Sequence, residues 1–163
     1  MISYFFLIFT HLSKCYFMTV RVTKEFHFEG AHALVDYDGK CREIHGHSYK
    51  LFVTVTGEPR DEKSDPKNGM LLDFTDLKRV VNALVIDIYD HALLLREDAP
   101  LAKELKESYG NVITLPFQPT CENLVIHFSD LLINKLPDGI TLFSLKLYET
   151  ATSYVEWFRE DNM

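Results

Sequence analysis

The sequence predicts an α+β domain in which helices lie on one face of an antiparallel sheet. Two patterns carry this reading. Apolar and polar residues alternate one by one near both ends of the chain, as in half-buried strands, and between them apolar residues recur at helical spacing. The element order that results is β-β-α-α-β-β.

Taken in order, Val20, Val22, Phe26 and Phe28 alternate with Arg21, Thr23, Glu25, His27 and Glu29, giving a first strand that reaches Gly30 and His32. A loop from Val35 to Glu43 leads back to a second strand, one face of which is His45, His47, Tyr49, Leu51, Val53 and Val55. Pairing of the two as a hairpin would bring His32 near His45 and His47. Gly57-Glu-Pro and the charged stretch from Arg60 to Asn68 read as a surface loop. Asp73 suits the N-cap of a helix that aligns Leu77, Val80, Val81, Leu84, Val85 and Ile88 and runs toward Tyr89-Asp90-His91. Pro100 to Tyr109 reads as a short helix closed by Gly110, and Val112 to Phe117 as a short strand ended by Pro119. Thr120 can cap a second long helix with Leu124, Phe128, Leu131 and Leu132 inward, stopped by Pro137-Asp138-Gly139. Phe143, Leu145, Leu147 and Glu149 then share one strand face, and a last strand carries Val155 and Trp157.

A chain of 163 residues with 47% hydrophobic content suits one well-cored domain, drawn here from Met18 to Met163. Residues 1–17, MISYFFLIFTHLSKCYF, are apolar and aromatic, yet they lack a basic start and are interrupted by His11 and Lys14. They read as an over-called start or an extension, the rival being an export signal; they are too short and too interrupted to span a bilayer. The net charge of −7 and the absence of any Lys/Arg run argue against nucleic-acid binding, and no stretch suggests a membrane span. Cys15, Cys41 and Cys121 form no CxxC pair and suit free thiols in a reducing, cytoplasmic compartment.

Cys41-Arg-Glu-Ile-His45-Gly-His47 is the densest chemical signal. Two imidazoles on one strand face, with His32 at the end of the partner strand, match the three neutral ligands that a catalytic zinc commonly takes, leaving its fourth position open. Structural histidines with ordinary hydrogen bonds would look the same at this level. Cys41 is either a small packing residue or a base, since a position beside a cation and Arg42 favours the thiolate. Asp90-His91 is a polar helix end or a proton-transfer couple in which the carboxylate orients the ring. Glu149 continues an apolar strand face, so it either meets water at the strand end or is matched by a ligand edge that donates two hydrogen bonds. His27 and His127 read as surface and core-edge residues, and Cys121 as packing at a helix start.

Together, Phe28-Glu-Gly-Ala-His32, Cys41-Arg-Glu-Ile-His45-Gly-His47-Ser-Tyr49, Leu72-Asp-Phe74, Asp90-His91, Pro119-Thr-Cys-Glu-Asn123 and Tyr148-Glu149-Thr150 resemble the 6-pyruvoyltetrahydropterin synthase family from Val20 to Arg159. The short gap between Cys41 and His45 is more similar to the bacterial 6-carboxytetrahydropterin synthases of queuosine biosynthesis than to the animal enzymes. The resemblance implies a tunnelling fold, with a four-stranded antiparallel sheet and two helices per subunit, assembled into trimers that stack as hexamers with catalytic groups from adjacent subunits in one pocket. It implies zinc (Zn2+) on His32, His45 and His47, Cys41 as base, His91 with Asp90 as the relay, and Glu149 as the pterin anchor. Glu43 is a lesser candidate for the base, because the family has a glutamate-based branch, and Lys40 and Arg42 are candidates for the triphosphate. The expected activity is conversion of 7,8-dihydroneopterin triphosphate to a tetrahydropterin. The 6-carboxy product is favoured, with the 6-pyruvoyl product or a non-catalytic zinc or pterin-binding module as alternatives. The Arg60–Asn68 and Asp98–Val112 segments are longer than in compact members.

Overall fold

The structure, a computed structural model, describes residues 18–162, so the reading of residues 1–17 lies outside the described residues. Strand β1 (Val20–His32) and strand β2 (His45–Gly57) pair antiparallel along their whole length, from Val20 opposite Gly57 to His32 opposite His45. The alternation of the sequence becomes burial: Phe26 and Phe28 of β1 and Tyr49, Leu51, Val53 and Val55 of β2 are all buried on one face. Side chains two residues apart on a strand share a face, so the same alternation carries His32, His45 and His47 to the end of that core.

Strand β5 (Thr141–Tyr148) adds antiparallel to β2, and β6 (Tyr154–Phe158) adds antiparallel to β5. On the other side, β3 (Ala92–Arg96) lies parallel to β1 and β4 (Val112–Leu115) parallel to β3. The sheet therefore has six strands in the order β4-β3-β1-β2-β5-β6 and is mixed, which corrects the expected four-stranded antiparallel sheet. The missed strand is β3, whose Ala-Leu-Leu-Leu run has no polar face to reveal it. Ala92 and Leu94 join the main core, whereas Leu93 and Leu95 pack on the other side with Ala33, Ala102, Leu105 and Val112. Burial on both faces is the usual fate of parallel strands and erases alternation.

A second correction concerns β5. The register with β2 shifts between Thr54 and Val55, so that Leu142, Leu145 and Leu147 take the core positions. One extra residue in a strand reverses the side on which everything beyond it points. Phe143 accordingly leaves the predicted core face, stands edge-on to Phe158 and receives the Arg21 guanidinium over its ring at 3.7 Å.

Helix α1 (Phe74–Val81) starts at Asp73, whose carboxylate accepts from the Thr75 amide at 2.8 Å, as the cap reading expects. It runs through one π turn (Asn82–Ile86) into a final short helix, α2 (Asp87–Tyr89). Helix α3 (Ala102–Ser108) connects β3 to β4 and covers the smaller apolar cluster. Helix α4 (Cys121–Leu132) is capped by Thr120, and its Leu124, Phe128 and Leu132 meet Leu77, Val81 and Val85 in the main core. Both principal helices thus lie on the histidine-bearing face. Among the described residues, no helix is long and apolar enough to cross a membrane.

Candidate functional site

Strand register alone sets His32 opposite His45, with His47 one step further along the same face. Their ligand atoms lie within 4.8 Å of one another, with His32 buried and the other two half-buried. His32 Nδ1 is 2.7 Å from the carbonyl of Pro119, at the entrance to α4, and His45 Nδ1 is 2.8 Å from the carbonyl of Glu43. A carbonyl can only accept, so each Nδ1 carries the proton and each neutral ring leaves Nε2 as a bare lone pair. Those two Nε2 atoms nevertheless face each other at 3.0 Å. The third, His47 Nε2, is buried without any hydrogen-bond partner. Two facing lone pairs and a third orphaned nitrogen are an unfavourable group in the absence of a cation. With a cation they are three ligands, two of them already oriented by backbone carbonyls, the outer shell that metal-binding imidazoles use.

Burial acts on two of the three rings. His32 and His47 are both held below the ordinary imidazole value, first by loss of water around the charged ring, against which the nearby Glu149 carboxylate works in part. Both rings are therefore kept neutral, the form in which imidazole binds a metal.

Beside the cluster, His32, Cys41, Cys121, Glu149 and Tyr154 line a cavity of about 380 Å³. Glu149 Oε1 stands 3.8 Å from His32 Nε2 and 3.9 Å from His47 Nε2. Cys41 reaches the cavity from a 3-10 turn (Lys40–Arg42) and is half-buried. Cys121, by contrast, is buried and donates its thiol proton to the Leu147 carbonyl at 3.4 Å, and burial followed by the Glu149 charge pushes it up to about 12. Of the two cysteines in the cavity, Cys41 is the more accessible. Glu43 forms a loose pair with Arg42 at 3.5 Å and is largely exposed.

Asp90 and His91 do pair, His91 Nδ1 lying 3.0 Å from Asp90 Oδ2. Glu29 clasps the couple with its backbone: its amide donates to Asp90 Oδ1 at 2.9 Å, and its carbonyl accepts from the His91 amide at 2.7 Å. The Glu29 hydrogen bond, and then the His91 ring, hold the Asp90 carboxyl below its usual range. His91 adopts a left-handed backbone with φ of 59°, a conformation a non-glycine residue holds only when its surroundings impose it. The couple does not enter the cavity of Cys41 and Glu149. His91 instead lines a second concavity of about 740 Å³, with Gly30, Gly46, His47, Ser48 and Tyr109.

Sequence reasoning missed the two carbonyl anchors, since Pro119 and Glu43 contribute backbone atoms that no side-chain pattern marks. It also missed Tyr49, whose buried hydroxyl has no hydrogen-bond partner. Its place on the His45–Val55 face was the available signal.

A family profile described as 6-pyruvoyl tetrahydropterin synthase matches residues 21–160. A 6-carboxy-5,6,7,8-tetrahydropterin synthase from Haemophilus influenzae is 34% identical over 141 residues, covering 84% of this chain and 97% of its own. The protein of the same name from Aquifex aeolicus is 32% identical over 168 residues, covering 88% of this chain and all of its own. Among solved structures, Caenorhabditis elegans 6-pyruvoyl tetrahydropterin synthase superposes with a TM-score of 0.61 at 26% identity, over 86% of this chain and 96% of its own. Fold, site and these likenesses converge: the chain belongs to the 6-pyruvoyl tetrahydropterin synthase family of pterin lyases.

Proposed function

We propose that this chain is a zinc-dependent 6-carboxytetrahydropterin synthase, acting on 7,8-dihydroneopterin triphosphate in the supply of 7-deazaguanine (queuosine) precursors. The observation that carries the reading is the convergence of ring nitrogens of His32, His45 and His47 within 4.8 Å of one another, beside a cavity that holds Cys41 and Glu149. The 34% and 32% identical relatives named for the 6-carboxy product support that product over the 6-pyruvoyl one.

His32, His45 and His47 would hold zinc, which supplies Lewis-acid polarisation of the substrate's side-chain hydroxyls. Glu149 accepts hydrogen bonds from the amino-pyrimidine edge of the pterin and so sets where the side chain lies. Cys41, as thiolate, takes a proton from that side chain. His91, oriented by Asp90, delivers a proton on the opposite side, and triphosphate departs with the electrons of its C–O bond. In the 6-carboxy reaction a carbon–carbon bond then breaks, a two-carbon fragment leaves as acetaldehyde, and water completes the carboxylate. Cys41 and His91 line different concavities of one chain, which supports a site completed by a second copy, as in a trimer or hexamer.

Incubating the zinc-loaded protein with 7,8-dihydroneopterin triphosphate and identifying products by mass spectrometry tests this. The expected result is 6-carboxytetrahydropterin with acetaldehyde. A 6-pyruvoyl product would move the chain to the other branch, and no zinc-dependent turnover would leave a binding module.

A further inference from the structure

Tyr49 is buried at 1% exposure, and its hydroxyl has no hydrogen-bond partner. A buried hydroxyl left in this state is destabilising, so a phenylalanine would serve the core better if packing were its only task. The ring is firmly placed. It stacks on Phe28 at 4.9 Å and 11°, and it occupies the space above Gly30, where a Cβ would come within 3.2 Å of its edge.

The opposed unpaired group is Glu149. The β2–β5 ladder runs Val53 to Leu145, Leu51 to Leu147 and ends at Lys50 opposite Tyr148, so Tyr49 and Glu149 are the residues that adjoin its last pair. Since Leu51 and Leu147 both face the core, Tyr49 and Glu149 share that face, the cross-strand relationship in which side chains interact directly. Among the described residues, no hydrogen bond reaches the Glu149 carboxylate; its Oε1 only approaches His32 and His47 at 3.8 and 3.9 Å.

We infer that Tyr49 is a positioning residue: in the loaded protein its hydroxyl donates to the Glu149 carboxylate and fixes the direction in which that carboxylate meets the pterin edge. The inference rests on the pterin reading for the purpose of the pair, though not for its existence. One buried donor without an acceptor and one carboxylate without a donor, on one face where the ladder ends, are placed to satisfy each other. A carboxylate has room for a phenol on one oxygen and a ligand on the other.

The test uses the zinc-loaded full chain as wild type, Tyr49→Phe, Glu149→Ala and the double variant, read by thermal unfolding and by fluorescence titration with neopterin. The expected result is that Tyr49→Phe lowers the unfolding midpoint in the wild-type background and leaves it unchanged in Glu149→Ala. It should also weaken neopterin about 10-fold, the scale of a hydrogen bond to a charged group, with no further loss in the double variant. A Tyr49→Phe midpoint equal to or above wild type would overturn the inference, because that is how an orphaned hydroxyl behaves. Equal neopterin losses in both backgrounds would also overturn it, by making Tyr49 a direct ligand contact. Coupled midpoints together with no neopterin binding by the wild type would uphold the pair and defeat the pterin reading instead.

Discussion

His32 Nε2 and His45 Nε2 face each other across 3.0 Å while the other nitrogen of each ring is tied to a backbone carbonyl. A cation between them relieves the arrangement. Zinc should therefore stabilise the fold as well as serve the reaction: at free zinc a thousandfold above its dissociation constant the gain is about 4 kcal/mol. Chelation followed by calorimetry should show a lower unfolding midpoint, restored by zinc, and alanine at His32, His45 or His47 should abolish both the restoration and stoichiometric binding.

Without metal, acid should destabilise the protein. His32, His47 and His127 are held below the ordinary imidazole value of 6.5 chiefly by burial. As pH falls below 6.5 the unfolded rings take up protons that the folded ones refuse, so the unfolded state binds more protons and stability falls until the folded rings also titrate. Urea unfolding of metal-free protein between pH 7.5 and 5.5 should give steadily decreasing stability, whereas an increase toward acid would contradict the burial argument.

Replacing Cys41 by Ala should remove turnover by at least about 100-fold, the lower range for loss of a positioned base, while zinc content and unfolding midpoint stay near wild type because the side chain is half-buried and not part of the core. Cys121→Ala should instead cost stability, since that thiol is buried in the main cluster and bonded to the Leu147 carbonyl. Zinc analysis, melting and single-turnover product formation on the two variants separate these outcomes.

Two glycine substitutions should differ sharply. A Cβ on Gly57 would lie 2.5 Å from the Gly139 carbonyl oxygen and 2.8 Å from Leu71 Cδ1, so Gly57→Ala should destabilise by about 1–3 kcal/mol. Gly110 has open space around its Cβ position, and Gly110→Ala should fall within about 0.5 kcal/mol of wild type. Chemical denaturation midpoints decide the comparison.

The hairpin and its histidines were legible because one-by-one alternation continues from Val55 back to His45, and register follows from which face is apolar. Strand β3 was hidden by burial on both sides. The π turn at Asn82–Ile86 was invisible because its apolar spacing still fits a helix, and the β5 bulge because a shift of one residue leaves composition unchanged. That His32, His45 and His47 converge was readable, but the carbonyls of Pro119 and Glu43 that hold two of the rings depend on register and loop path. These are properties of the assembled chain.

The double clasp that Glu29 places on Asp90 and His91 fixes more than one imidazole. Glu29 lies on β1 three residues before His32, and the neighbouring Gly30 is in register with Ala92. The strand thus acts as a ruler, with the acid–imidazole couple on one graduation and the first member of the histidine cluster on another. The separation between the two cannot be adjusted by a swinging loop within the chain. Bringing such a couple to the Cys41 cavity would take displacement of the strand itself, so a rearrangement of the sheet, rather than a loop motion, is what would change their spacing.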